Sequence, residues 1–131
     1  MIRDEALRWF EEGNNDISTA QILLDNKKYN PSAFYSQQAA ENILKGLLLA
    51  HNEAAWGHSV LTLLRRFAES VDVDIQEVEQ CAKELDRHYI PSRYPDAYPS
   101  GRPEDYYTEI IAKEALSCAL KIKGFAESRM M

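Results

Sequence analysis

Apolar residues in this chain recur at steps of three and four, and that spacing restricts the fold more than any other feature. Over residues 2–25 they fall at Ile2, Ala6, Trp9, Phe10, Gly13, Ile17, Ala20 and Leu24, one face of a 3.6-residue helix. Such a face is buried only by packing on another element. Asn26-Lys27-Lys28-Tyr29-Asn30-Pro31 interrupts the pattern. Asn30 before Pro31 is a helix-start signal, a capping side chain followed by proline in the first turn. A second helix is predicted over residues 31–51, with Phe34, Ala40, Ile43, Leu44, Leu47 and Leu48 on its apolar side. The short connection makes the first two helices an antiparallel hairpin. A third helix is predicted over residues 59–70. A fourth is capped by Asp72 or Asp74, and a fifth opens at Pro103-Glu104-Asp105. Period-two alternation occurs only in Val71-Asp72-Val73-Asp74-Ile75, too little for a sheet. The expected fold is all-α with five helices.

The length of 131 residues is that of one domain, expected to span residues 1–131. The net charge of −6 opposes binding of duplex DNA, which draws its affinity from phosphate neutralisation. It leaves room for a local phosphate or RNA patch. Cys81 and Cys118 are the only cysteines, too few for a disulfide framework, and are read as buried thiols. The start shows no signal-peptide pattern. The longest apolar run, residues 47–50, is far short of the ~20 residues that cross a bilayer. A cytoplasmic location without membrane contact is expected. His51, His58 and His88 lack the spacing of a metal motif, and no phosphate-binding glycine loop or serine elbow is present. No metal or cofactor is expected.

Two groups of residues carry candidate chemistry. On the second helix, Gln37, Glu41 and Lys45 are four apart and share a face. Glu41 to Lys45 is the favourable order for a helical ion pair, either on a solvated face or in a groove with Asp16 of the first helix. The second group lies between the fourth and fifth helices. Four of the five prolines, Pro91, Pro95, Pro99 and Pro103, fall there at intervals of four. Tyr89, Tyr94, Tyr98, Tyr106 and Tyr107 lie in or beside it, and Arg87, Arg93 and Arg102 outnumber Asp96. Arginine grips phosphate through a planar fork and tyrosine stacks on bases. Proline biases the residue before it towards extended geometry, so Ser92-Arg93-Tyr94 is expected to be extended. The alternative is a loop clamped on the bundle, its tyrosines packed and its arginines paired to acids. His88 is either a proton-transfer group or a cation at a helix C-terminus.

Trp9-Phe10, Asp16-Ile17-Ser18-Thr19-Ala20, Tyr29-Asn30, the run from Ala33-Phe34-Tyr35-Ser36-Gln37-Gln38 to Ala39-Ala40-Glu41, and Lys45 together resemble the amino-terminal half of HEPN domains (higher eukaryotes and prokaryotes nucleotide-binding). His58-Ser59-Val60-Leu61 and Arg93-Tyr94-Pro95-Asp96 resemble that family's third-helix start and its Arg-Tyr-Pro loop. The resemblance implies a five-helix bundle with an antiparallel up-down four-helix core. It also implies a homodimer and a minimal nucleotidyltransferase as partner in a toxin–antitoxin-type pair. Many members are metal-independent endoribonucleases marked by Arg, four to six residues, then His. Here Arg87 is followed directly by His88, and Arg93 comes after His88, so that hallmark is absent.

Three roles stand open. The first is a nucleotide- or RNA-binding module, with Asp16, Gln37, Glu41, Lys45, Arg87, Arg93, Tyr94 and Asp96 at the site. The second is a ribonuclease using His88 with Arg87 or Arg93. The third is a substrate whose loop tyrosine receives a nucleotidyl group from the partner. Trp9, Trp56 and the tyrosines offer large aromatic surface of the kind common at interfaces, consistent with a homodimer.

Overall fold

The three-and-four spacing is realised as six helices among residues 2–130, which the computed structural model describes. They are α1 (Asp4–Asp25), α2 (Tyr29–Ala50), α3 (Val60–Val71), α4 (Gln76–Asp86), α5 (Pro103–Tyr106) and α6 (Glu109–Glu127), with a 3-10 turn at Pro95–Ala97. The all-α expectation holds, and no helix among the described residues is long and apolar enough to cross a membrane.

α2 is the central element. It packs against α1, α3, α4 and α6. Its Ile43, Leu44, Leu47 and Leu48 are fully buried in one cluster with Val60, Leu63, Leu64, Phe67, Leu85 and Ile122. α1 and α2 run antiparallel with glycine at both crossings. Gly13 lies against Ala39 and Ile43, and Gly46 against Ala6 and Phe10. α4 and α6 also run antiparallel, with Glu84 and His88 opposite Ile111 and Ala115, and Glu77 and Val78 opposite Lys121 and Phe125. Phe67 and Phe125 meet edge to face at 6.0 Å. Cys81 and Cys118 are free thiols. Burial, with the Cys81 thiol beside it, pushes Cys118 up to about 12, which keeps it protonated and unreactive.

Several local expectations are revised. α2 begins at Tyr29, so Asn30 lies inside the first turn and Lys28 occupies the cap position. The Asn30 side chain is used elsewhere: its Nδ2 donates to the Ser92 carbonyl at 3.1 Å, tying helix to loop. Asp72 does not cap α4. It ends α3 in the left-handed conformation, while Asp74 accepts from the Gln76 amide at 2.9 Å. The predicted last helix is divided. α5 is a single turn, Tyr107 is extended, and α6 restarts behind Thr108, whose hydroxyl accepts from the Ile111 amide. The break lets the Tyr107 hydroxyl reach His88 Nδ1 at 2.8 Å. In the loop, Ser92 and Arg93 sit in a hydrogen-bonded turn. Of the three residues expected to be extended, Tyr94, directly before Pro95, is the one that is.

The glycine crossings generate a stability prediction. A Cβ on Gly46 would lie 2.8 Å from the Ala6 carbonyl oxygen and 3.1 Å from the Phe10 amide nitrogen, both backbone atoms that cannot swing away. Alanine in a helix interior is favoured over glycine by about 1 kcal/mol, but overpacking costs about 1–3 kcal/mol. Gly46→Ala is therefore expected to be net destabilising, with a lower urea midpoint at unchanged slope; an unchanged or raised midpoint contradicts the tight crossing.

Candidate functional site

Gln37, Glu41 and Lys45 share a face of α2, and that face is buried. A buried carboxylate needs both a counter-charge and hydrogen-bond donors, and Glu41 has them. Its Oε2 accepts from Lys45 Nζ at 3.0 Å. Its Oε1 accepts from Gln37 and Gln38 Nε2 at 3.3 and 3.4 Å and lies 3.4 Å from His58 Nδ1. Lys45 in turn lies 5.2 Å from the centroid of the Trp9 ring, a cation–π contact from α1.

His58 is placed by the start of α3. Ser59 caps that helix by accepting from the Thr62 amide. The Asp86 carboxylate at the end of α4 accepts from Ser59 Oγ, the Val60 amide and the Leu61 amide at 2.7, 2.7 and 3.2 Å. An acid at a helix N-terminus is favoured by the dipole, so α3 and α4 are locked at this end. Gln37 Nε2 also donates to the His58 carbonyl at 2.9 Å. The imidazole stacks on Tyr89 with centroids 4.9 Å apart and planes 17° apart.

Arg93 lies further along the same face of α2. Its guanidinium carbon is 4.2 Å from the Phe34 ring centroid and 4.8 Å from those of Tyr89 and Tyr94. Nε and Nη2 donate to the Tyr89 carbonyl at 2.9 and 2.7 Å, and Nη1 donates to the Tyr94 hydroxyl at 3.3 Å. Among the described residues no carboxylate pairs with it. The rest of the loop is clamped. Tyr98 stacks on Tyr106 at 4.1 Å, Tyr98 donates to the Pro91 carbonyl, and Tyr106 donates to the Ser100 carbonyl. Arg102 lies within 4.0 Å of Asp105 and 3.8 Å of Glu104. The loop is thus a clamp that leaves one arginine without a counter-ion.

These residues form a strip along α2, from Arg93 and Tyr94 over Phe34, past Tyr89 and His58 at Glu41, to Lys45 and Trp9. From Phe34 to Lys45 it is about 16 Å long at 1.5 Å per residue. Asp16 borders it on the α1 side, buried, accepting from Asn42 Nδ2 at 2.8 Å. Burial, opposed by the Asn42 hydrogen bond and aided by Glu12 and Glu41, pushes its pKa up to about 6. Asp96 is exposed on the 3-10 turn. Arg87 and His88 lie elsewhere. Both line a cleft between α4 and α6 with Glu84, Ile111 and Glu114. Arg87 is exposed and pairs with Glu84 at 3.4 Å. His88 is buried, and burial lowers its pKa despite Glu84 nearby, which disfavours the helix-end cation. The contacts of Tyr89 with both His58 and Arg93, and the seat of His58 on Glu41, were not read from sequence. The signal for His58 was limited to its place before the α3 cap; nothing in the order of residues joins it to position 41.

The model of the HEPN domain family matches residues 6–129. A solved structure of TT1696 from Thermus thermophilus is 44% identical, covers 97% of this chain and 99% of its own, and superimposes with a TM-score of 0.91. ST0689, described as an archaeal HEPN homologue, is 32% identical over 98% of this chain and 100% of its own, at TM-score 0.81. Among curated proteins, one from Methanocaldococcus jannaschii named "Putative toxin MJ1304" is 24% identical over 119 residues, 85% of this chain and 78% of the relative.

The buried acid at the edge of the strip has a pH signature. The raised pKa of Asp16, about 6 against 3.8, means that the folded protein retains a proton the unfolded chain has released between those values. Stability from this group is therefore greatest below about pH 4 and falls as pH rises through 6. Asp16→Asn removes the loss, and is expected to gain stability relative to the parent by on the order of 1–2 kcal/mol between pH 4 and pH 7. Parallel stability–pH curves for the two proteins contradict this.

Proposed function

The chain belongs to the HEPN domain family, and from that premise we propose that it is the HEPN subunit of a toxin–antitoxin-type pair. In this reading it is a homodimer that binds nucleotide or RNA phosphate at Arg93 and associates with a minimal nucleotidyltransferase. The word toxin in the name of the M. jannaschii relative supports the system; the site rests on one observation. Arg93 is held by three aromatic rings and a backbone carbonyl, with no carboxylate on it among the described residues. A guanidinium fixed in this way keeps its charge for an incoming anion. Tyr94, 45% exposed, supplies a ring on which a base can stack. Gln37, Glu41, Lys45 and Asp16 set the polar edge of the same strip, and Asp96 lies two residues beyond Tyr94. Arg87 and His88, in the separate α4–α6 cleft, are outside the proposed phosphate site.

Arg93→Gln tests the site. Fluorescence anisotropy with a short labelled RNA and with AMP is expected to show affinity reduced about tenfold or more, since a hydrogen bond to a charged group contributes about 1.5–3 kcal/mol. Arg87→Ala is expected to bind as the parent does. Equal affinity of Arg93→Gln and the parent contradicts the assignment. The assembly is tested by light scattering, where a mass twice the 15.0 kDa chain is expected and a monomer contradicts the dimer. It is further tested by co-purification with a minimal nucleotidyltransferase from the same organism, where a stable complex is expected and separate elution of the two proteins contradicts the pairing.

A second reading, modification by the partner, has one observation in its favour. The hydroxyls of Tyr98, Tyr106 and Tyr107 are engaged by Pro91, Ser100 and His88, whereas among the described residues the exposed Tyr94 hydroxyl meets the Arg93 guanidinium alone. Intact mass after incubation with partner and ATP is expected to rise by a nucleotidyl group in the parent and not in Tyr94→Phe.

A further inference from the structure

We propose that the cleft between α4 and α6 is a second binding site, which takes the ammonium end of a small aliphatic amine between His88 Nε2 and the Glu114 carboxylate. The inference stands apart from the phosphate site at Arg93 and concerns residues that the strip on α2 leaves unused.

The observation that points to a ligand is the unused nitrogen of a buried histidine. His88 is 9% exposed, and its Nδ1 lies 2.8 Å from the Tyr107 hydroxyl. Protons along this chain have one direction. Tyr98 gives its proton to the Pro91 carbonyl, which can only accept. Tyr107 shares a hydrogen bond with Tyr98, so its own proton goes there and its oxygen accepts Nδ1–H. The lone pair of the neutral ring is then on Nε2. Nε2 has no hydrogen-bond partner among the described residues, yet it is not sealed in protein: Asn14 Oδ1 and Ser36 Oγ are the atoms there that are both enclosed and unpaired. It therefore opens on the cleft that His88 lines. Burial lowers the His88 pKa, which keeps the ring uncharged and Nε2 an acceptor. A buried acceptor without a partner is costly, and a ligand N–H removes that cost.

The charges around the cleft select a cation. Arg87 is paired with Glu84 at 3.4 Å, and Glu84 also accepts from Gln80 at 3.3 Å, so the guanidinium is already neutralised. Glu114 forms no ion pair among the described residues. The cleft thus carries one uncompensated negative charge beside a neutral acceptor. An ammonium group satisfies both, donating to Nε2 and pairing with Glu114. An anion would meet Glu84 and Glu114 and find its one cation occupied. Size and floor set the rest of the ligand. The cleft holds about 180 Å³, below the about 300–1,000 Å³ of pockets for drug-sized molecules. Ile111 and Ala115 line it as well, an apolar surface for a short methylene stem.

The test uses the full chain labelled with nitrogen-15, with n-butylamine as probe and butyrate, at equal ionic strength, as its anionic counterpart. At about pH 8 an alkylamine is protonated and an imidazole is neutral. n-Butylamine is expected to shift the His88 ring nitrogens saturably while those of His51 and His58 stay unmoved, and butyrate to shift none of them. Glu114→Gln, altered at an exposed position, is expected to keep the parent's melting temperature and to weaken n-butylamine binding about tenfold or more, the usual contribution of a hydrogen bond to a charged group. Glu109→Gln removes an equal charge from the same helix outside the cleft, and is expected to bind n-butylamine as the parent does. Absence of a saturable shift at His88, an equal response to butyrate, or unchanged affinity in Glu114→Gln overturns the site. Equal weakening in Glu109→Gln and Glu114→Gln reduces it to general surface charge and overturns it too. A shift of His88 by zinc ion where n-butylamine gives none makes the cleft a metal site and overturns the amine.

Discussion

The ion pair between Glu41 and Lys45 is the interaction on which the site depends. Two opposite charges on one buried helical face are favourable only with close geometry and with the remaining lone pairs satisfied. Lys45 supplies the charge, Gln37 and Gln38 supply amide donors, and His58 takes the remaining approach to the carboxylate. Removing one member of such a pair costs about 3–5 kcal/mol, because it strands the other. The polar groups are therefore as much a part of the fold as the leucines on the far side of α2.

That pair is buried because the backbone around it is drawn close. Glycine at positions 13 and 46 brings α1 against α2, and Trp9 covers Lys45 from the same helix. The chain leaving α2 runs back to place His58 beside Gln37 and Glu41. At the other end of the strip the Pro-Tyr loop is secured by its own tyrosines and by Asn30. The result is a surface with a buried ionic foundation and, above it, the Arg93 guanidinium, which pairs with no carboxylate among the described residues.

The helices and their buried faces were legible in the sequence, because burial of a helix leaves a period of three and four. The common face of Gln37, Glu41 and Lys45 was legible for the same reason. Its burial was not, since that is decided by α1 and by the segment before α3, both distant in sequence. Asp86 illustrates the limit: it reads as the end of an acidic helix, yet it caps a different helix 26 residues earlier. The loop was legible as a basic aromatic island, but not in its geometry. Proline constrains only the residue before it, so Tyr94 is extended while Ser92 and Arg93 follow the hydrogen bonds of a turn. The division of the last helix was hidden because Tyr107 fits a helical pattern and departs from it to meet His88.

The central claim is that one strip of α2, with Arg93 and His58 upon it, is where phosphate is bound. Nitrogen-15 NMR of the arginine Nε–H and histidine ring signals during titration with AMP addresses it directly. Arg93 and His58 are expected to shift together and saturably, with Arg87 and His88 unmoved. Shifts at Arg87 and His88 instead, or none at Arg93, would contradict it.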